Sequence, residues 1–161
     1  MEFREMKHTD IHKIWSLFKF LKSEGIEISF ADVPSEEVLA TWVSSDCLLT
    51  YVAVQESEIC CVVRGKREDS PEKRHAVFLT AATAPIFRGQ GLAASLTDFA
   101  LRDMAEKHQV KIAHIYVYSD NLSSLKAVAK MGFEPAGTVK WHHYDFKTHE
   151  FVDDLIFHKY L

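Results

Sequence analysis

Apolar residues recur at helical spacing along four stretches of this chain and at strand-like density along seven, and the order in which the two kinds follow one another is distinctive. Ile11, Ile14, Trp15, Phe18 and Leu21 form the stripe of a helix that Thr9 or Asp10 caps and Gly25 ends. A second helix starts near Pro34-Ser35-Glu36-Glu37, where proline suits the first turn and the acids suit the positive dipole end; it buries Val38, Leu39, Trp42 and Val43. A third carries Leu92, Leu96, Phe99, Ala100 and Met104 and runs to about Lys107. A fourth follows the Ser119-Asp120-Asn121 cap, carries Leu122, Leu125, Val128 and Ala129, and closes at Gly132. Strand-like runs cover 2–6, 47–54, 58–64, 75–83, 111–118, about 138–146 and 151–160. The order β-α-α-β-β-β-α-β-α-β-β is a mixed α/β arrangement in which only the units around 75–118 form a parallel crossover.

Composition narrows the picture. At 161 residues, 47% hydrophobic and 26% charged, the chain reads as one soluble domain spanning 1–161, with no apolar run of membrane-spanning length. The opening Met-Glu-Phe-Arg-Glu-Met-Lys lacks the apolar core of a secretory signal. Three cysteines, an odd count, point to a reducing compartment, and a cytoplasmic location is expected. Cys60 and Cys61, adjacent in a strand, are expected on opposite faces, unpaired, with at least one of them buried. A net charge of −4 gives no basic footprint for nucleic acid, and neither nucleic acid nor membrane is an expected partner. The basic groups Arg64 to Arg67 and Lys73-Arg74 read as a solvated hairpin loop.

The stretch Pro85 to Ala93 joins the fourth strand directly to the third helix through Arg88-Gly89-Gln90-Gly91. Glycines at 89 and 91 let the main chain approach a ligand, and a helix starting there aims unpaired N–H groups and its positive end into the turn. A phosphate or pyrophosphate is the natural guest. Gly89-x-Gly91-x-x-Ala94 also satisfies the dinucleotide pattern, so a nicotinamide-binding oxidoreductase is a rival reading. Against it stand the mid-chain position after an antiparallel meander, the short chain, and no acid ending the next strand about 20 residues on.

Element order and turn together resemble the GNAT acetyltransferases, whose pyrophosphate motif Gln/Arg-x-x-Gly-x-Gly/Ala is matched by Arg88, Gly91 and Ala93. The family's downstream Asn, and its helix ending in Gly-Phe, are matched by Asn121, Ser124, Gly132 and Phe133. The resemblance spans Phe3 to Leu161. It implies a mostly antiparallel central sheet with a splayed parallel strand pair and about four flanking helices. It also implies acetyl-CoA as co-substrate without a metal, an amine acceptor that attacks the thioester directly in a ternary complex, and often a homodimer. Donor contacts would come from Ala82, Thr83 and Ala84 beside the pantetheine arm, from Arg88, Gly89, Gln90, Gly91, Leu92 and Ala93 around the pyrophosphate, and from Asn121 and Ser124. Arg88 binds either phosphate or the loop's own carbonyls, the latter slightly favoured. Asn121 and Ser124 serve equally as helix cap. Lys126 and Lys130 reach the nucleotide phosphates or form a solvated face, the second being the default.

The chain departs from the family where proton transfer is concerned. The proton-donating Tyr frequent four residues before the helix-ending glycine is Val128 here, and strand 75–83 has no Asp or Glu. Tyr118 is the substitute acid, with a strand-edge aromatic as its alternative role. Base candidates are His75, His114, His142 and His143, with His114 and His142 put forward for catalysis. Strand alternation lets at most one of His142 and His143 face the cleft. Acceptor specificity, by the resemblance, falls to the segment between the first two helices, with Glu24, Glu27 and Asp32, and to the final hairpin, with Tyr144, Asp145 and Glu150. A non-catalytic acyl-CoA-binding module stays open as an alternative.

Overall fold

The computed structural model describes every residue of the chain except Glu27 and Ser29. Among the described residues, strands β1 (Glu2–Glu5), β2 (Leu48–Gln55), β3 (Glu58–Lys66), β4 (Ala76–Thr83), β5 (Ile112–Tyr118), β6 (Glu134–Asp145) and β7 (Glu150–Tyr160) form one sheet in the order β1-β2-β3-β4-β5-β7-β6. Every neighbouring pair is antiparallel except β4 with β5. Helices α1 (Ile11–Ser23) and α2 (Glu36–Val43) cover one face of the sheet; α3 (Leu92–His108) and α4 (Leu122–Lys130) cover the other. No helix among the described residues is long and apolar enough to cross a membrane.

The two helical layers follow from the apolar stripes. Ile14, Phe18 and Leu21 of α1 and Leu39 and Trp42 of α2 bury against Val52, Val62 and Ala82. On the opposite face, Leu92, Leu96, Ala100 and Met104 of α3 and Val128 of α4 bury against Tyr51, Val63, Val77 and Val117. Val38, expected in the core, is 38% exposed, because an eight-residue helix turns only Leu39 and Trp42 fully inward. Pro34 lies one residue before the Ser35 N-cap, outside the helix. Asp10 caps differently from the expectation. Its carboxylate accepts the Lys7 N–H at 2.8 Å and holds the Arg4 guanidinium at 2.6 and 2.9 Å, tying β1 to the start of α1.

Register shifts in β3 and β6 break the alternation on which sequence reading depends. Ala53 pairs with Cys61 and Val54 with Ile59, so Cys60 is an extra residue and two residues of β3 oppose one of β2. Cys60 and Cys61 consequently share one core cluster instead of pointing to opposite faces, and both are fully buried and unpaired. In β6 the register slips between Val139 and His143, where Trp141 has φ +52° and donates its N–H to Asp153 at 2.9 Å. The presumed solvated loop also proves structural. Arg67 is buried and donates to the carbonyls of Asp46, Arg74 and His108, while Arg64 stacks on Trp42 and Phe30.

Candidate active site

Strands β4 and β5 pair only where Ala76–Phe78 meet Ile112–His114; beyond that point they diverge. A cavity of about 370 Å³ occupies the splay, lined by Leu79, Thr80 and Ala81 on one side and Tyr116, Val117 and Tyr118 on the other. Main-chain donors face it. The Ala84 N–H bonds the Cys60 carbonyl, so in this antiparallel ladder Ala82 and Thr80 point the same way, toward β3. The amides turned toward the splay are therefore those of Leu79, Ala81 and Thr83. Every second residue of the expected Ala82-Thr83-Ala84 run is thus already used in the ladder.

The turn after β4 is built to leave donors unpaired. Pro85–Phe87 form a short 3-10 turn, and Gly89 and Gly91 both take φ +74°, a conformation that disfavours any side chain. Among the described residues, no N–H from Gly89 through Ala94 donates to a protein acceptor, and the first amide of α3 to do so is that of Ser95. Side chains fold back onto the loop instead. Arg88 Nε donates to the Thr83 carbonyl at 3.2 Å, and Gln90 Nε2 to the Ile86 carbonyl at 3.0 Å. The result is a nest of outward N–H groups at the positive end of a seventeen-residue helix.

The far wall comes from α4. Asn121 Oδ1 accepts the Ser124 N–H at 3.1 Å as a helix cap, and both residues also line the cavity. Val128 lines it as well, 4% exposed and without a proton to give. Lys126 and Lys130 are exposed.

At the end nearer β7 the structure adds a residue the sequence reading missed. Asp154, cross-strand partner of Tyr118, is 5% exposed and lines the cavity. Its Oδ2 lies 2.6 Å from His142 Nδ1, and its Oδ1 is buried with no hydrogen-bond partner among the described residues. A signal existed: Asp153 and Asp154 interrupt the otherwise apolar run 151–157, and one of two adjacent strand residues must face inward. His143 stacks on Tyr118 with ring centroids 4.3 Å apart. Neither His142 nor His143 lines the cavity itself; each sits against a residue that does, His142 against Asp154 and His143 against Tyr118.

The remaining candidates lie elsewhere. His114 packs on Phe78 outside the cavity lining, and burial, then the neighbouring His158 and His75, push its imidazole below the ordinary value. His75 is exposed at the start of β4, at the opposite end from the phosphate-type turn. Neither Glu24 nor Asp32 lines the cavity; Asp32 pairs with Lys22 at 2.6 Å, and Glu27 falls outside the described residues. Tyr144, Asp145 and Glu150 cluster at the hairpin tip, where Asp145 accepts the Lys147 and Thr148 N–H groups. Ligand atoms of Glu5, Asp103 and His108 lie within 4.8 Å of one another, but Lys107 already bridges Glu5 and Asp103 at 3.1 and 2.8 Å and supplies the cation.

The model of the acetyltransferase (GNAT) family matches residues 10–133, more than half of the chain. The chain belongs to the GNAT acetyltransferase family. Solved structures agree on the GNAT fold. A ribosomal-protein-alanine N-acetyltransferase from Brucella melitensis superposes with TM-score 0.85 at 19% identity over 100% of both chains. A GNAT-family acetyltransferase from Streptococcus pneumoniae gives 0.86 at 19% identity over 99% of each. The Salmonella typhimurium protein yncA, solved with its cofactor acetyl-CoA, gives 0.84 at 14% identity over 99% of this chain and 93% of that one. No curated protein matches in sequence. GNAT topology also removes the dinucleotide rival, whose fold is a mostly parallel doubly wound sheet, whereas here β4 and β5 are the only parallel neighbours among the described strands.

Proposed function

We propose that this GNAT chain transfers the acetyl group of acetyl-CoA to a primary amine, carried by a small molecule or a protein, through direct attack in a ternary complex. One observation carries the reading: a cavity runs from the splayed strands, beside the unpaired N–H nest, to a buried carboxylate with a free oxygen. Bound acetyl-CoA would supply a thioester already activated toward an amine.

The residues divide the remaining work. The N–H groups of Gly89 to Ala93 and the α3 dipole would hold the pyrophosphate, with Arg88 fixing the loop from behind through Thr83. The splay-facing amides of Ala81 and Thr83 would pair with the extended pantetheine arm, and an amide fixed there also stabilises a carbonyl oxygen as negative charge builds on it. Asn121 and Ser124 would border the same arm. Asp154 Oδ1 would accept the proton of the incoming ammonium. His142, bonded to the other carboxylate oxygen and 56% exposed, would pass that proton to solvent. Tyr118 would hold the proton nearest the departing sulfur. A thiol of pKa about 8.5 leaves without such help, and an acid adds roughly 10²–10⁴-fold.

Calorimetric titration with acetyl-CoA, CoA and NADH, followed by an amine panel read by free-thiol release, tests the reading. Acetyl-CoA should bind in preference to NADH and thiol should appear only with an amine. Asp154→Asn should lower kcat by about 10²–10⁴-fold. Binding without turnover on any amine would leave the acyl-CoA-binding module, which Val128 at the usual acid position favours.

A further inference from the structure

Charges inside this protein are generally matched. Arg4 meets Asp10, Arg67 meets three carbonyls, and Arg74 meets Asp46 and Asp69. Arg64 is different. Its side chain makes no hydrogen bond or ion pair among the described residues, and its Nε is buried and unpartnered. The guanidinium lies 4.5 Å over the Trp42 ring and 5.0 Å over Phe30, so its plane is fixed by two buried aromatics. A half-buried cation without a counter-charge costs stability, and a planar fork held rigid is suited to a carboxylate. Burial lowers the Arg64 pKa to about 10, which leaves it charged at neutral pH.

Its position ties it to the reaction site. Arg64 on β3 is the cross-strand partner of Thr80 on β4, so both side chains stand on the α1–α2 face of the sheet. Thr80 and Ile28 line the splay cavity, and so does Asp154, three strands away on β7. Arg64 stands behind the Thr80 wall and is not itself part of the lining, so an acceptor that extends past Thr80 would meet a buried negative group at one end and an uncompensated positive one at the other.

We propose that Arg64 binds a carboxylate on the acceptor, and that the preferred acceptor carries its amine and its carboxylate several atoms apart. The inference rests on the acetyltransferase reading. Three interstrand steps of about 4.8 Å separate β3 from β7, too far for the single carbon between the two groups of an α-amino acid.

The test compares 6-aminohexanoate and 4-aminobutanoate with their amides and with glycine in thiol release, and by calorimetry in the presence of CoA. Wild-type protein should favour the longer acids over their amides by about ten- to hundredfold in KM or Kd, the range of a charged hydrogen bond. Arg64→Gln should erase that preference, and Arg64→Lys, which keeps the charge and a stem to pack on Trp42, should retain part of it. The wild-type comparison needs no variant, so misfolding of Arg64→Gln does not protect the proposal. Equal handling of acid and amide by wild type, or a preference that survives Arg64→Gln, overturns the Arg64 assignment alone. Failure to bind acetyl-CoA overturns both this and the acetyltransferase reading.

Discussion

Gly91→Trp isolates the phosphate-type turn from the rest of the fold. A Cβ built at Gly91 meets nothing within 4 Å, so the substitution crowds no neighbour; its structural cost is the left-handed φ of +74°. That conformation costs a residue with a side chain about 1–2 kcal/mol. For a chain of this size each kcal/mol lowers Tm by about 2–4 °C, so a fall of roughly 2–8 °C is expected. The indole, however, would stand among N–H groups of which none from Gly89 to Ala94 has a protein acceptor. Losing two charge-assisted hydrogen bonds there costs about 3 kcal/mol, more than a hundredfold in affinity. Gly132→Trp is the matched control. Gly132 has φ +76° and equally open space around a Cβ, but lies at the end of α4, so it should show the same thermal shift with acetyl-CoA affinity intact. Calorimetry and thermal unfolding on both variants measure the two effects separately. Acetyl-CoA affinity within twofold of wild type in Gly91→Trp would refute the placement of the pyrophosphate, and equal losses in both variants would reduce the effect to strain.

Further outcomes follow from the packing and the charges. Burial alone would raise the Asp10 carboxyl, but hydrogen bonds from Arg4 and the Lys7 N–H outweigh it and hold the group below its ordinary value. Asp10 therefore contributes stability above its unfolded pKa of about 3.9, lost as pH falls through the folded value. Asp10→Asn should cost about 3 kcal/mol in urea unfolding at pH 7, with the gap to wild type narrowing by pH 3; a gap independent of pH would contradict this. Burial pushes the Cys61 thiol up to about 11 and raises Cys60 as well, so in the native protein a thiol reagent should modify Cys47 alone, and early labelling of residues 60 or 61 by mass spectrometry would count against the packed bulge. Tyr118→Phe should lower kcat while sparing acetyl-CoA binding, and an unaltered rate and pH profile would remove Tyr118 from proton transfer.

What could be read from the chain was what depends on local repetition. Stripes such as Ile14-Phe18-Leu21, caps such as Asn121, and the glycine-rich turn are written in contiguous residues, and the element order with its parallel crossover follows from them. The misreading of the cysteine pair arose where a single inserted residue, Cys60, resets the count, which no periodicity reveals in advance; around Trp141 the register of β6 slips by two residues against β7, equally invisible in the sequence. Asp154 and Arg64 were overlooked for a different reason. Both looked like ordinary charges in sequence, and their significance lies in partners brought from distant strands: His142 for one, and for the other two aromatics with no acid among the described residues.

The splay between β4 and β5 creates two strand edges facing each other inside the sheet, along Leu79–Thr83 and Ile115–Tyr118. Unpaired edges ordinarily invite strands from other molecules and lead to aggregation, and proteins guard them with lysines, prolines or bulges. β4 carries none of these between Ala76 and Thr83. Its protection is the wedge itself: the two edges converge at Phe78 and His114, so an intruding strand with side chains would strike both flanks before its backbone came into register. A narrow unbranched chain meets no such obstacle. The shape in which we propose the donor arm lies thus also guards against unwanted strand exchange.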